Sequence, residues 1–293
     1  MDYRLVVKRI DQDYVYSNDR TLFNVNNLWA ENNEPRPDNY EEVLSRSQTK
    51  YWINEIKERK EKEIKYIDLD AWDCKWMLKA SSTIGVITGK FSDLFSDELE
   101  ETLRKHNHKF PTGSWFVRVE RVSLKEGMHG VGPYNDLKSV IESIVSSRLG
   151  HECINSKDNL ERFRIYFMPW KNIEQEFRVF VCKNKITAIS TQHYFQVNDY
   201  LAKLNDSEIK TEIVDKIWIF FEDNLKEKLY GIVGPNYTMD IGILADGSVY
   251  FIEPNSFGAN YAAGSALFHW YYDQDVLYSE DCTIEFRFVD RIL

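Results

Sequence analysis

The stretch from Tyr237 to Trp270 constrains the fold of this chain more than any other. Its first part reads as a β-hairpin: Tyr237 to Leu244 is apolar apart from one acid, Asp246-Gly247 is a strong turn signal, and Val249 to Ile252 is β-prone. We therefore interpret the rest of the chain around a two-stranded hairpin.

Three residues with hard oxygen ligands lie on this hairpin. Asp240 lies in the middle of the first strand, and Glu253 and Asn255 close the second. Because side chains alternate along a strand, Glu253 and Asn255 should point to the same face. Acids on two adjacent strands with a nearby amide form an oxygen-rich pocket of the kind that holds Mg²⁺ against phosphates. The residues fit equally well a hairpin with one buried acid that is satisfied within the fold, and this stretch alone leaves both interpretations open.

A family resemblance adds to this pattern. The D-x12-E-x-N spacing resembles the metal-binding end of ATP-grasp domains, and the segments IEPNSFG and ALFHW are similar to IDFNPFG and LLFTW of the cell-division-cycle-123 family. That family is an atypical ATP-grasp group implicated in assembling eukaryotic translation initiation factor two. The similarity runs from about Trp115 to Trp270. It implies an α+β, ATP-grasp-like fold with two lobes, antiparallel sheets and the nucleotide between the lobes.

Length and composition are compatible with such a fold. The chain has 293 residues, of which 43% are hydrophobic and 29% charged, as is ordinary for a globular protein. We expect residues 1–110 to form a divergent N-terminal region that is a small α/β lobe, a lid or a partner surface. We expect residues 111–293 to form the ATP-grasp-like region that binds nucleotide and Mg²⁺.

The net charge and the hydropathy exclude some classes of partner. A net charge of −10 disfavours a broad surface for nucleic acid or anionic membrane. No apolar run approaches the roughly 20 residues that a bilayer span requires. The sequence therefore predicts a cytoplasmic protein without a nucleic-acid or membrane partner.

Two basic residues near the middle of the chain are candidate phosphate ligands. Arg118 lies in the β-prone run SWFVRVERVS, and Lys125 lies in the glycine-containing loop that follows it. The segment VRVERVSLKEG is similar to the family motif PKLNWSSPKDA, in which Arg118 and Lys125 take the two basic positions. The resemblance implies that both contact the phosphates of ATP and that Lys125 also serves catalysis. A surface loop with an incidental lysine is the alternative.

The segment WKNIEQEFRVFV resembles the family pattern W-x-x-I-x-x-x-x-EFRCFV, although its spacer is shorter. By this resemblance Met168, Pro169 and Trp170 form the hinge that holds the adenine, and Glu176 and Arg178 belong to the cofactor site. A guanidinium makes charge-assisted bonds to phosphate, so Arg178 is the candidate clamp on the terminal phosphate and a candidate catalytic residue. The alternative is a structural ion pair with Glu176 on the same strand face.

The chain departs from the family at one position of chemical interest. Where the family has ISQRD, this chain has Gln192 and His193 in place of the basic residue and the acid. The loss of a charge near the phosphates favours nucleotide binding over conventional ligase chemistry.

Elsewhere the patterns predict local structure. Helices are expected over residues 50–65, 93–107 and 206–229, a strand over 282–289, and a strand and turn over 75–91, which lacks a true phosphate loop. His106 and His108, two residues apart in a polar loop, are expected to be solvated.

Together these features predict a protein that binds ATP and Mg²⁺ and acts as a nucleotide-dependent assembly factor, with a translation initiation factor subunit as the partner that the resemblance implies. The alternative is an ATP-dependent carboxylate–amine ligase that works through an acyl phosphate. A third hypothesis is a scaffold that has lost nucleotide binding; retention of Asp240, Glu253 and Asn255 argues against it.

Overall fold

The computed structural model describes residues 3–19, 21–57, 64–156 and 162–291, and the chain divides into two compact units. The first unit comprises Met1–Ser47 and Asn172–Leu293, and the second comprises Gln48–Lys171. The boundary predicted near residue 110 lies inside the second unit. The division into a divergent region and a nucleotide-binding region stays a prediction.

Helices and strands are interspersed along the described chain. The strands are β1 (Arg4–Asp11), β2 (Lys65–Asp70), β3 (Trp115–Arg118), β4 (Arg162–Pro169), β5 (Ile173–Cys182), β6 (Lys185–Thr191), β7 (Tyr237–Leu244), β8 (Val249–Asn255) and β9 (Thr283–Asp290). The helices are α1 (Gln12–Ser17), α2 (Leu28–Glu31), α3 (Tyr40–Arg46), α4 (Thr49–Lys57), α5 (Ala71–Ala80), α6 (Val86–Thr88), α7 (Ser96–His106), α8 (Leu137–Ser146), α9 (Arg148–Ile154), α10 (Asp206–Ile209), α11 (Asp215–Phe220), α12 (Lys226–Val233) and α13 (Gln274–Leu277).

Short turns of other helical types extend several of these helices. π-helical turns at Ser81–Gly85, Lys210–Val214 and Phe221–Leu225 follow α5, α10 and α11, so the chain is helical without a break over residues 206–233. No helix of the described residues is both long and apolar enough to cross a bilayer.

The first unit contains a six-stranded sheet in the order β1-β9-β6-β5-β7-β8. Strands β6, β5, β7 and β8 pair antiparallel, and β9 lies parallel to both β1 and β6. The β5–β6 hairpin turns through Lys183 and Asn184, whose φ angles of 49° and 59° are those of a tight hairpin turn. The predicted class, α+β with antiparallel sheets in two lobes, is confirmed, and the parallel pairings of β9 add to it.

One face of this sheet is apolar and adjoins the long helical segment. Val179, Met239 and Phe286 are fully buried on this face. Helix α11 packs on β8. An apolar stripe runs along this segment and is buried except at Phe220, which is half-buried; its buried members are Ile209, Ile213, Ile217, Phe221 and Leu225.

The opposite face of the sheet is covered by the chain that follows β8. The ring of Phe180 lies 5.2 Å from that of Phe268 and 5.5 Å from that of Trp270, and the rings of Phe257 and Trp270 are 5.0 Å apart. These rings belong to the segments SFG and LFHW that carry the family resemblance. Their role here is to pack residues 257–270 onto the sheet.

The second unit contains a three-stranded antiparallel sheet in the order β2-β4-β3. Its core is formed by the buried faces of these strands and by helices α5, α7 and α8, with Met77, Leu99 and Ile141 among the buried residues. The first turn of α5 is closed by a capping box between Asp70 and Asp73.

Some local predictions in this unit need correction. Residues 75–91, predicted as strand and turn, are helical from α5 through α6 and end at Gly89, whose φ is +64°. The strand expected over SWFVRVERVS is limited to β3. The helix predicted over 50–65 is present as α4 up to Lys57, and residues 58–63 lie outside the described part of the chain.

Three glycines, Gly85, Gly127 and Gly150, lie directly against the backbone of α8. A Cβ atom on Gly85 would lie 2.2 Å from the carbonyl oxygen of Val145, and one on Gly150 would lie 2.2 Å from that of Ile144. Backbone atoms cannot move aside as the end of a side chain can. These positions therefore require glycine for steric reasons.

Replacing Gly85 with alanine is expected to lower the free energy of unfolding by about 1–3 kcal/mol, because the added methyl group would overpack the core around α8. A Cβ on Gly231 in α12 would have no atom within 4 Å. Gly231→Ala is the matched control and should be neutral or stabilising by up to about 1 kcal/mol. Urea unfolding of both variants measures the difference, and equal stabilities would show that the close approach at Gly85 is unimportant.

Candidate nucleotide and metal site

Three of the predicted site residues form one row across adjacent strands of the first unit. Arg178 on β5 lies opposite Asp240 on β7, and Asp240 lies opposite Glu253 on β8. Residues directly opposite each other in a sheet point to the same face and lie within contact distance. The two acids therefore lie on adjacent strands of the hairpin, as the sequence predicts. The neighbouring strand β5 brings Arg178 beside them.

Arg178 and Asp240 form a bidentate ion pair. Nε of Arg178 donates to Oδ1 of Asp240 at 2.6 Å, and Nη2 donates to Oδ2 at 2.9 Å. Both side chains are buried. Burial opposes the charge of the guanidinium, but the carboxylates of Asp240, Glu253 and Glu176 together raise the pKa of Arg178 above its usual value. Arg178 thus forms its bidentate pair with Asp240, itself a candidate metal ligand, while Glu176 acts on it electrostatically.

Asn255 completes this group. It lies opposite Thr238 on β7, two residues from Asp240, and its Nδ2 is 3.3 Å from Oδ2 of Asp240. Glu253 and Asn255 are both half-buried, and their register places them on the same face, as predicted. A β-bulge follows Asp240 and interrupts the β7–β8 pairing there.

The donor set suits a hard divalent cation. Asp240 and Glu253 supply carboxylate oxygens and Asn255 supplies an amide oxygen, which are the ligand types that Mg²⁺ prefers. Asp240 accepts two bonds from Arg178 and one from Asn255, and a carboxylate can bind a metal ion in addition to accepting such bonds. The residues present therefore fit the predicted role, and that role stays a prediction.

The row continues across the sheet with two residues that the sequence analysis missed. Ser190 on β6 lies opposite Arg178, and Arg287 on β9 lies opposite Ser190. Arg287 donates to Glu285 at 2.7 Å and to Asp273 at 2.6 Å. A signal was available, because the tripeptide Glu-Phe-Arg occurs twice, at 176–178 and at 285–287.

The two buried arginines also hold the segment that covers this face. Nη1 of Arg178 donates to the carbonyl oxygen of Gly264 at 2.7 Å, and Nη1 of Arg287 donates to that of Leu267 at 3.0 Å. The hydroxyl of Ser190 accepts a bond from the Leu267 amide at 3.2 Å. The row is therefore both a candidate ligand site and the anchor of residues 264–267.

The basic candidates of the second unit occupy different environments. Arg118 is buried, with its guanidinium carbon 5.5 Å from the centre of the Trp52 ring and its Nε 3.5 Å from the Thr49 hydroxyl. Lys125 is exposed on the loop that follows β3. Within this unit Arg118 packs as a core residue, and Lys125 has the accessibility that phosphate contact requires.

The predicted adenine hinge lies at the end of β4. Met168 is buried opposite Phe116 of β3, and the amide of Trp170 donates to the carbonyl oxygen of Ser114 at 3.0 Å. Pro169 is half-buried between them. These residues, Arg118 and Lys125 belong to the second unit, whereas Glu176, Arg178, Asp240, Glu253 and Asn255 come together in the first.

A second group of potential metal ligands lies in the second unit. Among the described residues, Asp70, Asp73 and His106 form a group whose ligand atoms lie within 4.8 Å of one another. Nε2 of His106 is 2.9 Å from Asp73, and the Thr102 hydroxyl donates to the same carboxylate at 2.7 Å. His106 is buried, so the prediction that it is solvated is wrong. We interpret the group as a hydrogen-bonded link between α5 and α7.

Comparison with known proteins identifies the family. The family model D123 matches residues 135–292, just over half of the chain. The chain belongs to the D123 family. Its match to the translation initiation factor eIF2 assembly protein of Xenopus laevis is 33% identical over 118 residues, and its match to that of Danio rerio is 29% identical. Each match covers 40% of this chain but only about a third of the relative, 32% and 31% respectively.

The D123 fold is also seen in a solved structure. Cdc123 from Schizosaccharomyces pombe matches 86% of this chain and 98% of its own, with a TM-score of 0.56 and 16% sequence identity. At this identity the likeness concerns the fold alone. It confirms that the D123 chain described here has the architecture that the motifs predict.

The Arg178–Asp240 pair makes a testable contribution to stability. Arg178→Met should lower the free energy of unfolding by about 3–5 kcal/mol, because the buried carboxylate of Asp240 loses its partner. Adding Asp240→Leu should recover a large part of this loss, since no buried charge then remains unpaired. Denaturant unfolding of the single and double variants provides the measurement.

Arg162→Gln is the control for this experiment. Arg162 is exposed and pairs with Asp68 on the surface, where Asp68 keeps its bonds to Arg164. Its loss should change stability far less than the loss of Arg178. Equal losses for Arg178→Met and Arg162→Gln would contradict the structural importance of the buried pair.

Proposed function

We propose that this D123 protein binds ATP with Mg²⁺ at the row formed by Arg178, Asp240 and Glu253, and that it acts as a nucleotide-dependent assembly factor in translation initiation. The observation that carries the proposal is the convergence of Asp240, Glu253 and Asn255 beside a buried arginine. Arg178 and Asn255 are 77 positions apart in the sequence, and the pairing of β5, β7 and β8 brings all four residues to one face of the sheet.

The residues of this site would have distinct tasks. Asp240, Glu253 and Asn255 would hold Mg²⁺, which when bound neutralises charge on the outer phosphates. Arg178 uses three N–H groups for Asp240 and Gly264, and a guanidinium has five, so two are available to a phosphate oxygen. Its fixed position would orient that phosphate without reorganisation of the side chain.

Family membership supports the assembly role. The curated relatives that match this chain are named translation initiation factor eIF2 assembly proteins. By this relationship the proposed partner is a subunit of eIF2, and the proposed location is the cytoplasm. Because the matches cover only about a third of each relative, the partner is a proposal for this chain.

The surroundings of Glu176 favour binding over ligation. Glu176, Thr191 and His193 line a cavity of about 280 Å³ together with Glu174 and Asp199. No Lys or Arg is found among the described residues that line it. The family has a basic residue at position 192, where this chain has Gln192, so a cation that could neutralise a reacting phosphate is absent from this sequence position.

Titration calorimetry with ATP, first with Mg²⁺ and then with EDTA, tests the site. Glu253→Gln should weaken Mg²⁺-dependent ATP binding by roughly tenfold or more, since it removes a ligand charge from a half-buried position. Glu227→Gln, on the exposed face of α12, is the control. Asp240→Ala is less informative because it leaves Arg178 buried without its partner. Equal affinities with and without Mg²⁺ would refute the metal assignment.

Lys125 can be tested by comparing nucleotides. Lys125→Ala should weaken binding of ATP more than that of AMP, because its proposed contacts are to the outer phosphates. Lys138→Ala, a solvent-facing lysine of α8, is the matched control. Equal losses for ATP and AMP would remove Lys125 from the proposed site.

The assembly role is tested with purified eIF2 subunits. An assembly factor should capture a subunit in an ATP-dependent manner and hydrolyse little ATP. A ligase should instead consume ATP only when a carboxylate and an amine acceptor are present. Capture that is independent of ATP, together with acceptor-dependent turnover, would replace the proposed function with ligation.

A further inference from the structure

A cavity of about 190 Å³ adjoins the proposed metal site within the first unit. Asn255 lines this cavity on one side, and through its Nδ2 it contacts Oδ2 of Asp240 on the other. The candidate metal site and the cavity therefore share a wall. Pockets for drug-sized molecules measure about 300–1,000 Å³, so this space suits a smaller group such as a single side chain or a short acid rather than a nucleotide.

The described lining of the cavity contains a positive group and no negative one. The chain carries a net charge of −10, yet none of the described residues that line the cavity is Asp or Glu, and Arg46 supplies a positive charge. Asn236 lies nearby and accepts a bond from the Lys183 amide through Oδ1, which leaves its Nδ2 able to donate. These groups favour an anion.

Arg46 is placed so that a ligand can reach it. Its Nη2 is 2.6 Å from Glu42 in a pair between consecutive turns of α3, and both side chains are about half-exposed or more, at 48% and 65%. Such a surface pair is weak and readily exchanged. The other terminal nitrogen, Nη1, lies over Gly234, 3.9 Å from where a Cβ would be. The guanidinium therefore spans from Glu42 to the cavity wall.

The remaining walls distinguish between kinds of anion. Val43, Val233 and Phe257 line the cavity beside the polar groups. A guanidinium fork can bind either a carboxylate or a phosphate. Phosphate carries the higher charge, however, and Arg46 is the only Lys or Arg among the described residues that line the cavity, so the single positive charge matches the single negative charge of a carboxylate. A half-apolar wall also suits the hydrocarbon part of an organic acid.

We propose that this cavity binds a carboxylate group, held by Arg46 and placed beside Asn255. The idea that this carboxylate binds as a second ligand next to ATP rests on the proposed function. The binding of a carboxylate in the cavity does not depend on the proposed function. The carboxylate has two possible sources: a small organic acid or the free C-terminus of a peptide.

The test uses N-acetyl-leucine as the carboxylate probe and N-acetyl-leucinamide as its neutral counterpart. The side-chain amide signals of Asn236 and Asn255 are followed by NMR of the full, isotopically labelled chain. The acid should shift both signals with a Kd on the order of 1 mM, because it offers one charge-assisted contact and little apolar area. The amide should not shift them. Binding of both compounds with equal affinity would overturn the proposal.

Three variants sharpen the test. Arg46→Gln should weaken acid binding about tenfold, and Glu42→Gln should tighten it severalfold because the competing carboxylate is gone. Arg148→Gln is the matched control, since Arg148 forms an exposed pair of the same spacing with Glu152. Unchanged affinity in Arg46→Gln, or weaker binding in Glu42→Gln, would overturn the assignment. The opposite directions expected for the two variants exclude a general loss of folding as the explanation.

Further titrations separate the sources and the two proposals. An acetylated tripeptide ending in leucine that binds more tightly than N-acetyl-leucine would assign the cavity to a peptide C-terminus, and equal binding to a small acid. Inorganic phosphate that binds more tightly than either would overturn the carboxylate assignment. Calorimetry with ATP on the same sample tests the proposed function independently. Binding of the acid without binding of ATP would support the carboxylate site in the cavity and refute the proposed nucleotide site.

Discussion

The buried pair between Arg178 and Asp240 is the interaction on which the centre of the large sheet depends. A guanidinium and a carboxylate removed from water must satisfy each other, because neither has the solvent to stabilise its charge. A slip of β5 by one residue against β7 would turn Arg178 toward the apolar face that holds Val179 and Met239. The pair therefore specifies the register of these strands in addition to contributing contacts.

Further acids lie around the same pair. The carboxylates of Asp240, Glu253 and Glu176 all act on the guanidinium of Arg178 and raise its pKa above the usual value, against the effect of burial. These acids come from the three neighbouring strands β5, β7 and β8, and together they keep Arg178 in its charged form.

Sequence reasoning succeeded where the determinants of structure are local. Alternation and turn residues predicted β7 and β8, because Asp246-Gly247 specifies a tight turn between two β-prone runs. Sequence reasoning failed where contacts between residues far apart in the chain determine the local structure. The serine and threonine residues of 81–88 have low helix propensity, yet Gly85 packs against Val145 and the segment stays helical.

The site shows the same division between local and distant determinants. Glu253 and Asn255 could be assigned to one face from alternation alone. Burial of His106 depends on Asp73, which is 33 residues away, and neither position identifies the other in the sequence. Arg287 was missed for a similar reason. Its bonds to Asp273 and Glu285 belong to the row of site residues only because β9 pairs with β6 in the sheet, and the sequence does not reveal this pairing.

The position of β9 has a consequence for synthesis on the ribosome. Residues 48–171 form a unit that is continuous in the chain and can fold as soon as it emerges. The large sheet cannot close so early, because β9, Thr283–Asp290, lies between β1 and β6 and emerges after every other strand of the sheet. Until then β1 and β6 present unpaired edges, and unpaired edges recruit other chains. The nascent protein therefore passes through a period, set by the translation of β9, in which it is most exposed to aggregation and most dependent on chaperones.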